Sequence, residues 1–170
     1  MCIIGASIIQ RLKIRDFNYW LDDKHATKVP FPGATVEKAA YYMKPTLEEE
    51  SPDIVILNIG TNNLTKNRTQ TEEDIAGEII KMVEECRYMG VNEIFVSGLT
   101  VRKGWLNQIK NINNILIQKA SAHNFKFIDN ENIKYEDLSY DGLHLQKEGT
   151  IKLANNFIYV LNNMYNYNLY

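Results

Sequence analysis

Four separated clusters in this chain hold the residue types that acyl transfer needs. Ser7, in "IIGASII", ends a short apolar run. A serine hydroxyl is a weak nucleophile until a neighbouring base takes its proton, and a neutral imidazole suits that task near pH 7. His144, in "DGLHLQKEG", is the candidate base. Asp141 stands just before it in a Gly-containing turn, where its carboxylate can accept from Nδ1 and leave Nε2 free for Ser7. A tetrahedral intermediate also needs donors, and the backbone N–H groups of Ser7 and Gly33 with the side-chain amide of Asn62 are the candidates. Glycine at position 33 permits close backbone approach, and an asparagine amide donates at any pH. Such a set cleaves an ester with no metal or cofactor. Acid is expected to switch it off by protonating His144.

Bringing these clusters together takes a sheet whose strands all end on one side, since strand-to-helix loops converge beyond the carboxyl ends of parallel strands. The chain alternates short β-branched runs with longer helical stretches, the pattern of a parallel sheet covered by helices. Strands are expected at "CIIGAS", "HATKVPFPG", "PDIVILNIG", "NEIFVSG" and "FKFID". The continuous apolar third run suits a central strand buried on both faces. Helices are expected over "ATVEKAAYYMKPTLEEE", with Pro45 leaving its later part open, over "TQTEEDIAGEIIKMVEECRYMG", and over "WLNQIKNINNILIQKASAHN", where Leu106, Ile109, Ile112, Leu116 and Ala120 share one side. A helix can also fit between Ser7 and the second strand. "TNNLTKNRT" and "ENIKYEDLSYDGLHLQKEG" read as loops, "TIKLANNFIYVLNNMYN" as a closing helix and 164–170 as a frayed tail. Ser7, Gly33, Asn62 and the Asp141–His144 pair then all fall at the active end of the sheet.

At 170 residues the chain suits one domain over 1–170, which could be a piece of a longer protein. Its net charge of −2, with basic residues scattered apart from Arg11, Lys13 and Arg15, argues against a nucleic-acid groove. No apolar run reaches the roughly 18 to 20 residues that span a bilayer, and no signal sequence is visible, so a cytoplasmic location is expected. Cys2 and Cys86 form neither a metal spacing nor a disulfide framework and read as buried thiols in a reducing compartment. The sequons at Asn63 and Asn67 arise easily by chance in a chain so rich in asparagine. Three distant histidines make no metal site, and nothing requires or excludes a homo-oligomer.

In order along the chain, "IIGASII" with Ser7, "FPGATV" with Gly33, "NIGTNNL" with Asn62 and "DGLHLQKEG" with Asp141 and His144 resemble the four blocks of the SGNH-hydrolase superfamily, the GDSL-like esterases and lipases. The match covers nearly the whole chain. The resemblance implies a flavodoxin-like three-layer αβα sandwich with a mainly parallel central sheet, a triad of Ser7, His144 and Asp141, an oxyanion hole of Ser7, Gly33 and Asn62, and no metal. "GTNNL", "FVSGL" and "DGLHLQKEGT" are most similar to the platelet-activating-factor acetylhydrolase-like branch and to esterase domains of animal retrotransposons, which favours short acyl groups such as acetyl. Two departures stand out. Ala6 replaces the aspartate usual before the serine, and Asn63 stands where the third block commonly has aspartate.

Each residue alone has an ordinary explanation: Ser7 as a helix cap, Asp141-Gly142 as a turn, Gly33 as a bend and Asn62 as a loop residue bonding its own backbone. Four such coincidences in the right order favour a site. Asn63, Arg102 and Trp105 are the candidate substrate contacts, the last two because their segment follows the fourth strand at the active end. Trp20, Tyr41 and Tyr42 can line a pocket, although aromatics at such spacing more often belong to the core. His25 and His123 lack an acidic partner at a telling spacing. The leading expectation is an esterase for a small-molecule, lipid or glycan ester. The alternative, prompted by Ala6, is a catalytically weak or silent module used for binding or assembly, for example within a mobile-element protein.

Overall fold

The structure, a computed structural model, describes residues 1–18, 25–66 and 69–167. Trp20, parts of the Asn67 sequon and residues 168–170 of the expected tail lie outside the described residues. Five strands, β1 (Cys2–Gly5), β2 (Thr27–Pro30), β3 (Ile54–Asn58), β4 (Glu93–Ser97) and β5 (Lys126–Ile128), form one sheet in the order β2-β1-β3-β4-β5. Every pairing is parallel, with Gly5 opposite Asn58 and Leu57 opposite Val96. Each strand therefore ends at the same side, as the sequence reading requires.

Alternate residues of the inner strands enter two separate cores, because side chains of a strand point to opposite faces. Cys2, Ile4, Val55, Leu57, Ile94 and Val96 pack on one face with α2 (Val36–Glu50), α4 (Glu72–Tyr88) and α5 (Leu106–Lys119). Ile3, Ile54, Ile56 and Phe95 pack on the other with α1 (Ile14–Asn18) and α6 (Lys147–Tyr167). The result is the three-layer αβα sandwich.

Several local expectations are settled or need correction. Pro45 does not break α2, which runs on to Glu50. Pro45 lies on the exposed side, where the freed carbonyl one turn back can be hydrated, while Met43 and Leu47 hold the buried side. The "TNNLTKNRT" loop contains a short helix, α3 (Asn63–Lys66). Helix α6 begins at Lys147, earlier than expected, and continues to Tyr167, so the first part of the expected frayed tail is helical. Leu106 is half-exposed at the start of α5, whereas Ile109, Ile112 and Leu116 are buried. Tyr41 and Tyr42 are exposed and stack edge to face with centroids 5.4 Å apart. Helix α4 keeps its expected start, where Thr71 and Asp74 form a reciprocal capping box.

Candidate active site

Ser7 opens a 3-10 helix, Ser7–Arg11, directly beyond β1. The cap position belongs to Ala6, which makes no side-chain cap bond, so Ser7 is not the helix cap that its type suggests when read alone. As the first residue of a helical turn, Ser7 has a backbone N–H with no partner inside that helix. The hydroxyl faces His144 instead, with Nε2 2.8 Å from Oγ across 137 residues of sequence.

The segment that presents His144 is a closed loop. Leu138 and Leu145 form an antiparallel bridge, Ser139 N–H donates to His144 O at 2.6 Å and Gly142 N–H to Ser139 O at 2.9 Å. Below it Asp137 is buried, accepting from Lys134 N–H at 2.8 Å and Lys152 Nζ at 2.7 Å. At the tip, Asp141 Oδ1 accepts from the N–H groups of Leu143 and His144, each at 2.9 Å, and Oδ2 lies 2.6 Å from His144 Nδ1. The His144 bond, the Leu143 N–H and the other bonds to His144 outweigh slight burial and hold the Asp141 carboxyl down at about 2. At neutral pH that carboxylate can only accept, so Nδ1 carries the proton and the Nε2 lone pair points at Ser7. Gly142 is left-handed (φ 68°), and a Cβ there would come 2.8 Å from Lys103 Cβ, so only glycine lets this loop close on the segment after β4. Lys103 N–H donates to Gly142 O at 2.9 Å across that contact.

The Gly33 and Asn62 segments meet each other through two hydrogen bonds. Asn62 is buried and donates one amide hydrogen to Ala34 O at 3.0 Å, leaving the second hydrogen of that NH2 unused by this bond. Its backbone carbonyl accepts from Thr65 and Lys66 N–H at 3.2 and 3.0 Å, starting α3. Lys66 Nζ bonds Gly33 O at 2.6 Å.

The expected substrate contacts divide. Asn63 is fully buried, and its amide is committed to the fold: Oδ1 accepts from Val36 N–H at 3.0 Å, and Nδ2 approaches Glu37, Gln70 and Glu78 at 3.1–3.3 Å. A side chain so enclosed does not meet substrate; it fixes the start of α2 against α3 and α4. Trp105 is half-buried against the core of the α4 and α5 face. Arg102 is at the site border, donating to Thr61 O at 2.7 Å and Thr65 Oγ1 at 3.4 Å. Burial lowers its guanidinium from the ordinary value, and the Asp141 carboxylate opposes that.

Some partners escape the sequence reading. His123 has an acidic neighbour after all, Glu84 Oε1 at 3.0 Å, on the surface. Under the strand ends, the buried Asn58 and Asn130 both donate to the buried Ser97 Oγ at 2.8 Å, and the half-buried Asn156 donates to Asn130 at 2.9 Å, a chain visible only once β3, β4, β5 and α6 are assembled. Cys2 and Cys86 are free and buried, and burial pushes their thiols up to about 11 and about 12, which keeps both protonated and unreactive. Among the described residues no helix is long and apolar enough to cross a membrane, and no group of three His, Cys, Asp or Glu gathers that could hold a metal ion. A cavity of about 590 Å³ opens between α5 and β5, and neither Ser7 nor His144 lines it.

A hydroxyl, an imidazole and a carboxylate thus stand in line at the carboxyl end of a parallel sheet. The sequence profile of the GDSL-like lipase/acylhydrolase family matches residues 4–150. The chain belongs to that family. No protein with a curated description matches it in sequence. Among solved structures it is similar to a GDSL-like lipase from Bacteroides thetaiotaomicron VPI-5482, with TM-score 0.80 and 17% identity over 96% of this chain and 87% of that one. A lipase/acylhydrolase from Enterococcus faecalis superposes with TM-score 0.77 at 19% identity, over 96% and 95% of the two chains. A catalytic mutant of Axe2, an acetylxylan esterase from Geobacillus stearothermophilus, does so with TM-score 0.74 at 16% identity, over 92% and 91%. At such identities these neighbours share the fold of the chain, and the family match makes it a GDSL-like lipase/acylhydrolase domain.

Proposed function

We propose that residues 1–170 form one SGNH-type domain that hydrolyses short-chain acyl esters, with Ser7 as nucleophile, His144 as general base and acid, and Asp141 as the group that orients and charges it. The observation that carries this reading is the unbroken line from Ser7 Oγ to His144 Nε2 at 2.8 Å and from Nδ1 to Asp141 at 2.6 Å. Ser7 Oγ attacks the acyl carbon while its proton passes to Nε2. The backbone N–H groups of Ser7 and Gly33 and the free amide hydrogen of Asn62 receive the negative charge on the carbonyl oxygen, each donor worth on the order of 10²-fold. His144 then returns the proton to the departing alkoxide, leaving an acyl-enzyme and a free alcohol. Water attacks that ester with Nε2 taking its proton, and collapse releases the carboxylic acid and restores the Ser7 hydroxyl. The substrate is a small-molecule, lipid or glycan ester, with Arg102 at the border of its site. An acetylxylan esterase among the structural neighbours supports an acetyl-sized acyl group.

The test pairs a fluorophosphonate probe with p-nitrophenyl acetate. Wild-type protein becomes labelled and turns over the ester, EDTA has no effect, and Ser7→Ala does neither. Labelling that survives in folded Ser7→Ala, or folded wild type with no turnover of any short ester, overturns the reading. The latter outcome favours the silent binding module, for which the uncapped turn at Ala6 speaks.

A further inference from the structure

Among the described residues, the cations beside this site take main-chain carbonyls as hydrogen-bond partners and make no ion pair. Lys66 Nζ donates to Gly33 O at 2.6 Å, and a Cβ built on Gly33 would stand 3.2 Å from that ammonium. Arg102 Nη1 donates to Thr61 O at 2.7 Å, one residue before Asn62. Each cation is thus anchored at, or one residue from, a proposed oxyanion donor; Lys66 ends the short helix that follows Asn62, and Arg102 Nη2 reaches Thr65 Oγ1 in that same helix at 3.4 Å. Arg11 extends the arrangement, donating to Leu145 O at 3.0 Å beside His144. Away from the site, Lys44, Lys126 and Lys152 pair with carboxylates at 2.6–2.8 Å.

A carbonyl consumes one donor and cancels no charge. An ammonium has three donors and a guanidinium five, so Lys66 and Arg102 keep hydrogens for a ligand. Lys66 is exposed and Arg102 half-buried, where an ion pair is screened less than on open surface. Among the described groups, the acid acting on Arg102 is Asp141, whose Oδ1 and Oδ2 already accept from the Leu143 and His144 N–H groups and the His144 ring. This positive border belongs to a chain whose net charge is −2, so its sign is local rather than inherited from composition.

We propose that Lys66 and Arg102 form an anion-binding pair at the border of the Ser7 site, so that the preferred ester carries a negatively charged group, a carboxylate or a phosphate, close to the scissile bond. This rests on the esterase reading above and narrows its substrate class. Lys66 is then a specificity-determining residue. It supplies a point charge, and Arg102 a planar fork suited to two oxygens of one anion.

The experiment compares kcat/KM for 4-acetoxybenzoate with that for its neutral methyl ester, which differ in one charge on the alcohol side. A parallel pair, p-nitrophenyl hemisuccinate and p-nitrophenyl methyl succinate, places the charge on the acyl side; 4-acetoxyphenyl phosphate distinguishes phosphate from carboxylate. The anionic member of at least one pair is expected to be favoured about tenfold at low salt, with the ratio falling toward one in 0.5 M NaCl. Lys66→Gln is expected to cut the ratio about fivefold and Lys66→Arg to restore it, whereas the charge-matched Lys119→Gln on the far surface leaves it in place. If Lys66 or Arg102 merely braces the backbone, both members of a pair slow equally and the ratio holds. That outcome, or a wild-type ratio near one in both pairs, overturns the proposal. Calorimetry of the same ligands on Ser7→Ala reads charge preference without turnover, so a failure of the esterase reading is told apart from a failure of this one.

Discussion

Asn63→Asp installs the residue common at this position in SGNH-type sequences, and here it is expected to harm the protein. Asn63 is fully buried, and its NH2 shares two hydrogens among Gln70 Oε1 at 3.1 Å, Glu78 Oε2 at 3.2 Å and Glu37 Oε2 at 3.3 Å. An aspartate keeps the acceptor for Val36 N–H but replaces the donor with a third carboxylate oxygen. The two glutamates already share protons unequally. Burial and the neighbouring Glu37 push Glu78 up to about 7, whereas at Glu37 hydrogen bonds, including those from Thr35, Glu78 and Asn63, outweigh burial and hold its carboxyl below the ordinary range. A bond to a charged group is worth about 1.5–3 kcal/mol, and the glutamates are partly solvated, so the loss at pH 8 is about 3 kcal/mol. For a domain of this size that lowers Tm by roughly 6–12 °C. Protonation relieves the crowding. A third carboxylate pushes the carboxyls of this cluster up beyond their wild-type positions, so the folded variant holds more protons than folded wild type, its loss relative to wild type falls as pH falls, and at pH 5 it shrinks to about 1 kcal/mol. Urea midpoints at pH 5 and pH 8 measure both numbers. Adding Glu78→Gln gives the new carboxylate an amide donor and is expected to recover at least half of the pH 8 loss. Equal losses at the two pH values, or no recovery in the double variant, would refute the shared-proton reasoning.

Glu78→Gln alone tests the same cluster with the opposite sign. A carboxyl raised from 4.5 to about 7 in the folded state favours folding at low pH and loses that contribution as pH rises through about 7, so the glutamine variant is more stable than wild type by about 1 kcal/mol at pH 8, with no such gain at pH 5. Asp141→Asn removes a charge that, with the carboxyl at about 2, is present at every working pH; turnover of p-nitrophenyl acetate drops roughly 10³–10⁴-fold while circular dichroism is unchanged. Gly5→Ala drives a methyl into the Asn58 carbonyl of the neighbouring strand, well under the 3.0 Å that real Cβ contacts keep, and costs at least about 3 kcal/mol by urea unfolding.

What the sequence made legible follows from what local rules govern. Short β-branched runs set between helical stretches located all five strands, and Ile3 and Ile4, or Ile54 and Val55, enter opposite cores because successive side chains of a strand point to opposite faces. The α4 start was legible because Thr71 and Asp74 cap it locally. Pro45 left the end of α2 open in the sequence, because the burial of Met43 and Leu47 that outweighs a single missing N–H on the wet side of a helix is tertiary. Asn63 did mislead. Its type and its place beside Asn62 suggest a ligand contact, yet its partners Val36, Glu37, Gln70 and Glu78 come from three other segments, and no local spacing announces that they meet.

The same asymmetry explains how loops hold a hydroxyl and an imidazole 2.8 Å apart. Each site segment is short and carries carbonyls that no ladder satisfies, and a donor from another segment takes up one of them. Arg11 joins the Ser7 helix to Leu145 O, Lys103 N–H joins the β4 segment to Gly142 O, and Arg102 joins it to Thr61 O. Asn62 and Lys66 join the third segment to Ala34 O and Gly33 O. A buried carbonyl without a partner costs about 1–3 kcal/mol, so the ties to the buried Leu145, Gly142, Thr61 and Ala34 are favoured by the group they satisfy as well as by the bond they make, whereas the Lys66 tie to Gly33 O is exposed. The ties link all the reacting segments to one another, so displacing Gly33 also disturbs Asn62, and displacing Ser7 also disturbs the His144 loop. Alignment is therefore a property of the linked set, held by Arg11, Arg102 and Lys66 through carbonyls of neighbouring segments, and the charge proposed to select an anionic substrate stays on those same side chains.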